Sequence, residues 1–391
     1  MKILFITNRN VLTTCGALRL IKNRAEVLYS QYNVSTDFCV FQNKNRLHSA
    51  KKEDINAGGQ LYFVGYTASS VLFSYCNFQN TIIDILSKTN YDAIIISQAS
   101  FSVNICKIKK LTKAPIFIDG HGASEDIYTC IDKWSLTKMS RYLAYQLDKF
   151  CLNRLFKYAD GCLVVSDGLK EYYENRYLHN SNFKYFRIPC ATTSFLEEIQ
   201  YKAYREQYRL YFGLKQNEVA FVYSGGIEPW QCVNKTIELY KEVSEKLDIP
   251  SKMFIFSYET ELINQKVKND SRFVVRSLKS DELTKALCAM DFGFLIREDT
   301  LTNNVAYPNK FLEYLNARIY VITTPYIYDV KKQIEETGVG FICKDINTCD
   351  KIIDFVNQNL IQKPNEERIK NIIFNNSFNI RLKYFINYLG L

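Results

Sequence analysis

The sequence predicts an α/β protein with two domains, each built on a parallel sheet that helices cover on both faces. Three observations favour this class. The chain has 391 residues, which is enough for two separate cores. Short apolar runs alternate with longer helical patterns, and this alternation occurs twice along the chain. The apolar runs are continuous, which is typical of parallel strands buried on both faces. Each half is therefore expected to be a Rossmann-like domain.

The first half supplies seven predicted strands, over 2–7, 37–41, 61–65, 93–97, 115–119, 161–165 and 184–188. Helical patterns separate most of them, over 16–30, 80–89, 101–111, 133–158 and 167–177. The domain boundary falls within 190–216, where IPCATTSF gives way to the charged, Tyr-rich helical segment YKAYREQYRLYFGL. We place the first domain at 1–195.

The second half supplies six predicted strands, over 219–224, 253–257, 272–277, 292–296, 319–323 and 340–344. Its predicted helices are 231–246, 280–289, 309–317, 327–337, 347–359 and 365–375. The second domain is placed at 196–375, and the amphipathic segment 376–391 is expected to pack back on the first. Ligands of open α/β sheets bind beyond the carboxyl ends of strands, so the substrate is expected in a cleft where the two domains face each other.

Composition narrows the function. The net charge is +9, which favours anionic partners without selecting one. Twelve cysteines are scattered singly, so we expect reduced thiols in a cytoplasmic protein. The cysteines and the three histidines lack metal-ligand spacing, so neither a metal nor another cofactor is expected. MKILFIT is too short for a signal peptide and no apolar run reaches spanning length, which indicates a protein in solution or at the inner face of the membrane. Nucleic acid is disfavoured, because no stacking or zinc motif occurs.

The stretch 293–325 predicts an anion site. A strand ends at Arg297, a polar loop follows, and a short helix then carries Lys310 in its first turn. Helix N-termini attract anions, so a cation there is better explained by an anionic ligand than by helix stability. Glu313 lies close to the same face, where its carboxylate would accept hydrogen bonds from ribose hydroxyls. The alternative is a capped surface helix with a solvated Lys and Glu.

Glycines follow two of the predicted strands. Gly225 and Gly226 come directly after VAFVYS, where paired glycines let backbone amides approach a phosphate. Gly16 begins a helix after the first strand and a polar loop. It permits either a close approach to a ligand or a simple turn, and the sequence does not separate the two.

A polar loop, GHGASEDIY, follows the strand PIFID. His121 is flanked by glycines there, which suits contact with a sugar hydroxyl or a reacting group better than core packing. Glu125 either caps the following helix or takes part in the site, and both remain open. The basic, aromatic helix 133–158 either covers the sheet with a solvated face or rests on an anionic membrane surface.

These segments resemble a known family. PNKFLEYLNARIYVITTP is similar to the P-x-K-x-x-E-Y-L segment of the retaining family 4 glycosyltransferases, which have two Rossmann-like domains in the GT-B arrangement. YSGGIEPWQ, DGHGASED and VVSDGLKEYY fall in the matching order. The resemblance implies a nucleotide-diphosphate sugar donor and a saccharide or lipid-linked saccharide acceptor, in the synthesis of a cell-surface polysaccharide such as a capsule.

The resemblance also implies residue roles. Lys310 and Arg297 would neutralise the diphosphate, and Glu313 would bind the ribose. Gly225 and Gly226 would line the phosphate and sugar end. His121 would reach the transferred sugar from the other domain, and the acceptor would lie against the loops around Gly16.

One departure concerns the donor sugar. Many relatives carry two glutamates separated by seven residues; the second matches Glu313, but Val305 stands at the first. Backbone amides at Asn304, Val305 and Ala306 would remain for sugar contact. Two other functions stay open: a nucleotide-sugar 2-epimerase of the same fold, and a binding relative whose catalytic site has decayed.

Overall fold

In a computed structural model the chain forms two compact units, Met1–Pro189 with Phe378–Leu391, and Cys190–Ser377. The structure describes residues 1–8, 16–43, 56–67, 71–97, 105–125, 136–179, 181–189, 195–268, 270–344 and 349–390. Both units contain a parallel sheet with helices between successive strands, which confirms the predicted α/β class. Within these residues, every helix is too short or too polar to cross a bilayer.

The first unit has a seven-stranded sheet in the order β3-β2-β1-β4-β5-β6-β7. Its strands are β1 (Lys2–Thr7), β2 (Ser35–Asn43), β3 (Gly58–Tyr66), β4 (Ala93–Ile96), β5 (Ile116–Gly120), β6 (Gly161–Val164) and β7 (Lys184–Arg187). All neighbouring pairs are parallel. The order reverses at β1, which lies between β2 and β4, as expected for a Rossmann-like sheet.

The helices of this half are α1 (Gly16–Tyr32), α2 (Val71–Lys88), α3 (Ile105–Leu111), α4 (Leu136–Tyr158) and α5 (Asp167–Arg176). The prediction that α2 begins at residue 80 was wrong. Its first turns are rich in aromatic, Asn, Ser and Cys residues of low helix propensity, and packing of Phe78, which is fully buried, outweighs that preference. Residues 101–104 and 133–135, which we expected to be helical, lie outside the described residues.

The second unit has a six-stranded parallel sheet in the order β10-β9-β8-β11-β12-β13. Its strands are β8 (Val219–Ser224), β9 (Ser251–Phe256), β10 (Phe273–Arg276), β11 (Phe292–Leu295), β12 (Tyr320–Thr323) and β13 (Gly340–Ile342). Val222 of β8 belongs to one buried cluster and Phe221 to another. Successive side chains of a strand face opposite sides, so both faces of the sheet are covered and the apolar runs are explained.

The helices of the second unit are α6 (Glu198–Tyr211), α7 (Val233–Lys246), α8 (Thr260–Val267), α9 (Ser280–Leu287), α10 (Leu301–Asn304), α11 (Asn309–Asn316), α12 (Tyr328–Thr337), α13 (Cys349–Gln358) and α14 (Glu366–Asn375). The predictions missed α8 and α10. Helix α8 has a short apolar signal, since only Ile263 and Val267 are buried. Helix α7 begins two residues later than expected, because Cys232 has a left-handed backbone (φ 52°) after a 3₁₀ turn at Pro229–Gln231.

The final helix, α15 (Phe378–Tyr388), belongs to the first unit. The ring of Phe385 lies 4.9 Å from that of Phe117 on β5 and 5.3 Å from that of Phe186 on β7. The Tyr32 hydroxyl at the end of α1 donates to the Asn379 carbonyl at 2.6 Å. The chain therefore returns to complete the core with which it began.

A charged cluster holds α6 to the start of β11. Asp291 accepts from Arg205 at 2.7 Å and from Lys363 at 2.7 Å, and Arg209 lies 3.3 Å away. The arginines also donate to the carbonyls of residues 288–290 after α9. Burial would raise the pKa of Asp291, but Lys363 and Arg205 outweigh it and lower that pKa. Burial lowers the pKa of Lys363 to about 8. Asp291 thus neutralises part of a half-buried positive cluster.

Candidate functional site

The central strands of the second sheet position the candidate anion site. β8 pairs with β9 on one side and with β11 on the other, so the strand order reverses there. Ligands of open α/β sheets bind beyond the carboxyl ends of the strands at such a point. Gly225 directly follows β8, and Arg297 lies two residues beyond the end of β11. Lys310 stands in the first turn of α11, which follows the next loop.

Lys310 extends toward the end of β8. Its Nζ donates to Oε1 of Gln231, lies 3.4 Å from the Tyr223 hydroxyl and stands 4.5 Å from the centre of the Tyr223 ring. Gly225 makes this path possible: a Cβ there would lie 2.2 Å from Nζ, and the backbone has a φ of +137° that side chains rarely adopt. Gly225, which we predicted to contact phosphate, therefore also leaves the space that the Lys310 ammonium occupies.

Arg297 meets the same glutamine. Its Nη1 donates to the Gln231 carbonyl at 3.1 Å and to the Ile296 carbonyl at 2.8 Å, and its Nη2 reaches Oε1 of Gln231 at 3.4 Å. Its backbone N–H donates to Oγ1 of Thr324 at 2.9 Å, and that hydroxyl donates back to the Arg297 carbonyl at 2.6 Å. This exchange with the end of β12 fixes the backbone of the buried arginine.

The two cations have neutral partners. Among the residues that the structure describes, no carboxylate forms an ion pair with Lys310 or Arg297. Burial lowers the pKa of Lys310 well below its usual value, and the neighbouring Arg297 charge lowers it further, while Glu313 and Glu228 oppose this more weakly. Burial also lowers the pKa of Arg297. An anion would therefore relieve an unfavourable concentration of positive charge.

Further side chains surround this pair. Glu313 lies half-buried on α11, and its charge acts on Lys310. Gly226 leaves room for the carboxylate of Glu228, whose Oε2 would lie 2.3 Å from a Cβ at that position. The Tyr314 hydroxyl accepts the Ser224 N–H at 2.9 Å and so joins α11 to the end of β8. This hydrogen bond holds the helix that carries Lys310 next to the strand that precedes Gly225.

The three backbone amides considered for sugar contact are engaged internally. The N–H of Asn304 donates to Thr300, that of Val305 to Leu301 and that of Ala306 to Asn303, at 2.9, 3.2 and 3.2 Å. The Val305 side chain is buried, and the side-chain Nδ2 of Asn304 donates to Oδ1 of Asp299 at 3.0 Å. A sugar bound here would compete with the α10 turn for these amides.

His121 in the first unit is held by a buried carboxylate. Its Nε2 lies 2.6 Å from Oδ2 of Asp119, the penultimate residue of β5. The other carboxylate oxygen accepts from Arg24 of α1 at 2.6 Å, and Arg24 also donates to the Ile188 carbonyl at 2.5 Å. Burial would raise the pKa of Asp119, but His121 and Arg24 together lower it. This network fixes the orientation of the imidazole.

Glu125 belongs to a separate, largely aromatic cluster. It is paired with Arg176 of α5, and its carboxylate accepts from the Tyr172 hydroxyl at 2.5 Å and from the Tyr145 hydroxyl at 3.2 Å. These bonds join the loop after β5 to α4 and α5. Gly16 is the first residue of α1, and the loop before it lies outside the described residues.

Helix α4 presents apolar side chains on its outer face. Their spacing of three or four residues aligns them in one stripe, and each is more than half exposed: Met139 51%, Leu143 64%, Leu147 57% and Phe150 62%. Cys151 and Leu155 on the opposite side are fully buried in the core of the unit. The helix carries five basic residues and one acidic residue, Asp148. It is therefore apolar on two faces and strongly basic.

Sequence reasoning did not identify Tyr223, Gln231 or Arg24 as parts of these clusters. Tyr223 reads as a core strand residue, Gln231 as a helix start and Arg24 as one of many basic helix residues. Only the adjacency of Tyr223 and Gln231 to the paired glycines offered a signal. Their partners are far along the chain, so spacing alone could not reveal them.

The comparisons with known proteins agree at the level of fold. No protein-family model matches the sequence, and a search of curated proteins gave no match. The crystal structure of HepE from Anabaena in complex with UDP has a TM-score of 0.69 and 12% identity, over 100% of both chains. HepE has also been crystallised with UDP-glucose. Sucrose-phosphate synthase from Thermosynechococcus elongatus has a TM-score of 0.70 and 11% identity, over 99% of this chain and 98% of that one.

A third solved structure, WaaG, is a glycosyltransferase involved in lipopolysaccharide biosynthesis. It has a TM-score of 0.63 and 13% identity, over 98% of both chains. At these identities the likeness shows the fold alone, which is the predicted pair of Rossmann-like domains of the GT-B type.

Proposed function

We propose that this protein is a glycosyltransferase that moves a sugar from a nucleotide-diphosphate sugar to a saccharide acceptor. One observation carries the proposal: Lys310 and Arg297 share the Gln231 side chain beyond the central strands of the second unit, with neutral hydrogen-bond partners. A diphosphate supplies the charge that these cations lack. The similarity in fold to HepE, crystallised with UDP and UDP-glucose, supports a donor of this class.

The same cations suit the chemical step. As the bond between the sugar carbon and the diphosphate oxygen breaks, negative charge grows on the leaving group, and Lys310 and Arg297 stabilise it there. We propose that the acceptor hydroxyl attacks from the same face, that its proton passes to the leaving diphosphate oxygen, and that the configuration is retained. Glu313 binds the ribose hydroxyls, and Gly225 and Gly226 line the phosphates. The configuration of the product, read by NMR, tests retention.

The first unit is proposed to bind the acceptor. His121 contacts the transferred sugar, with its ring oriented by Asp119, while Glu125 and the start of α1 at Gly16 lie on the acceptor side. In this scheme His121→Ala lowers kcat for transfer and leaves the affinity for UDP unchanged, because UDP lacks the sugar. Loss of UDP binding in this variant would remove His121 from the proposed role.

The decisive experiment compares Lys310→Met with the wild type. We expect the variant to lose transfer from UDP-glucose and other nucleotide sugars and to lose the thermal stabilisation that UDP gives the wild type. Lys246→Met is the matched control, because Lys246 lies on the surface of the same unit and pairs with the exposed Asp350. Full activity of Lys310→Met would refute the assignment of the donor site.

The same assay separates the alternatives. Appearance of an epimer when the nucleotide sugar is incubated without acceptor would identify an epimerase. A wild type that no nucleotide diphosphate or sugar conjugate stabilises would be a binding relative without a donor site. A screen of nucleotides with different bases also identifies the base.

We further propose that the acceptor is lipid-linked and that α4 rests on an anionic membrane surface. The exposed apolar stripe on its outer face provides insertion, and the surplus of basic residues complements anionic lipid. Because the helix has few acidic residues, contact of its outer face with an anionic lipid surface is favoured over exposure of that face to water. WaaG, of the same fold, is involved in lipopolysaccharide biosynthesis, which supports an acceptor of this kind.

Vesicle sedimentation tests the membrane contact. The wild type is expected to bind vesicles of phosphatidylglycerol and to bind phosphatidylcholine much less, and Leu143→Ser with Leu147→Ser is expected to abolish binding. Leu178→Ser is the control, because Leu178 is 91% exposed but lies outside α4 in the same unit. Equal binding by the double variant and the control would exclude this surface.

A further inference from the structure

Gln231 stands between the buried Arg297 and the half-buried Lys310. The Lys310 ammonium donates to its Oε1, the Arg297 Nη2 lies 3.4 Å from the same atom, and the Arg297 Nη1 donates to its backbone carbonyl at 3.1 Å. On its other side, the Gln231 Nε2 donates to Oε2 of Glu228 at 3.3 Å. One side chain therefore contacts both cations and a nearby carboxylate.

The partners determine which way the amide points. An oxygen must face the two cations, which only donate, and the amino group must face the carboxylate, which only accepts. The oxygen thus occupies a position that a negatively charged ligand oxygen would favour, but it brings only a partial charge. The two cations remain electrostatically unsatisfied while their hydrogen bonds are made.

We propose that the Gln231 amide oxygen is an internal stand-in for a phosphate oxygen of the ligand: it holds Lys310 and Arg297 in place while the site is empty and gives up Lys310 to the diphosphate on binding. This rests on the proposed function, and it adds a positioning residue to it. The neutrality of the side chain is essential, since a full charge at this position would satisfy the cations permanently.

The consequence is that Gln231→Glu and Gln231→Met, each made in a Glu228→Gln background, should act in opposite directions on stability. The glutamate supplies the missing charge to the cations, and the Glu228→Gln background removes the carboxylate that would otherwise repel it from 3.3 Å. The ligand-free protein is therefore expected to unfold about 2–4 °C higher than Glu228→Gln alone. The same charge repels the ligand and occupies both cations, so the Kd for inorganic pyrophosphate and for UDP is expected to rise by at least about 100-fold. Methionine removes the acceptor without adding charge, so the midpoint falls and the Kd rises by less than about tenfold.

The experiment uses the full chain, with pyrophosphate and UDP titrated by calorimetry and the midpoint measured without ligand. Gln231→Glu binding pyrophosphate within about threefold of the wild type would overturn the inference. So would loss of binding together with a midpoint below that of Glu228→Gln alone, which would indicate structural damage. Neither result contradicts the proposed function, provided that the wild type binds UDP and Lys310→Met does not. Failure of the wild type to bind either ligand would overturn both.

Discussion

Replacing Gly225 by alanine perturbs the anion site through one added carbon. The new Cβ would lie 2.2 Å from Nζ and 2.3 Å from Cε of Lys310. Carbon atoms in contact prefer about 3.5–4.0 Å, so the ammonium must move by more than about 1 Å. That movement breaks its hydrogen bond to Gln231 and withdraws it from the Tyr223 ring.

The magnitude has two parts. A φ of +137° is a backbone conformation that a residue with a Cβ adopts at a cost of about 1–3 kcal/mol, and this lowers the free energy of unfolding. Displacement of Lys310 removes a charge-assisted contact to the ligand, worth about 1.5–3 kcal/mol. The second part corresponds to a Kd for UDP about 10- to 150-fold higher than in the wild type.

Calorimetric titration with UDP and urea unfolding measure the two parts separately. Gly213→Ala is the control, because Gly213 also has a positive φ, of +62°, but nothing lies within 4 Å of its added Cβ. We expect that variant to lose about 1–2 kcal/mol of stability and to bind UDP normally. The reasoning is refuted if Gly225→Ala binds UDP as tightly as Gly213→Ala.

Four other predictions concern the charge of Lys310, the Asp291 cluster and the core of the first unit. Because the pKa of Lys310 is lowered, Lys310 loses its charge as the pH rises through that pKa, and the affinity for UDP is expected to fall. Calorimetry above about pH 7, where the phosphates are fully ionised, measures this fall, and Lys310→Met should not show it. Without ligand, Lys310 holds its proton in the unfolded chain but not in the folded one at pH values between its lowered folded pKa and its unfolded pKa of about 10.4. The free energy of unfolding should therefore rise with pH in that range, and Lys310→Met should lack the rise. Asp291→Ala leaves three half-buried cations without their carboxylate and should cost about 1.5–3 kcal/mol in urea unfolding, against less than about 1 kcal/mol for the exposed Asp350→Ala. Phe385→Ala removes a fully buried ring and should destabilise the first unit by about 3–5 kcal/mol, whereas an unchanged midpoint would mean that α15 is dispensable.

Much of the architecture could be predicted because continuous apolar strands and periodic helices are local signals. β1 and β8 have the predicted bounds, and the other strands differ by a few residues at their ends. Helix α8 was missed because only two of its side chains reach the core, which is too few to establish a period. The left-handed Cys232 moved the start of α7, and cysteine carries no signal for that conformation.

The site was less predictable, because its decisive contacts join distant parts of the chain. Lys310 and Gln231 are 79 positions apart, and Arg24 and Asp119 are 95 apart. Lys310 and Arg297 stood out because their residue types conflict with a simple surface helix and a buried strand end. Gln231 did not, since a glutamine near a helix start is ordinary. Its role depends on which charges fold against it, and sequence spacing holds no such information.

The return of α15 to the first unit has a consequence during synthesis. Phe385 and Leu382 are buried there, so the amino-terminal core lacks part of its apolar filling until the last helix has left the ribosome. Residues 190–377 form their unit from one continuous stretch and can close earlier. We therefore expect the half that is translated first to complete its core last, with part of a sheet face exposed to other chains in the interval.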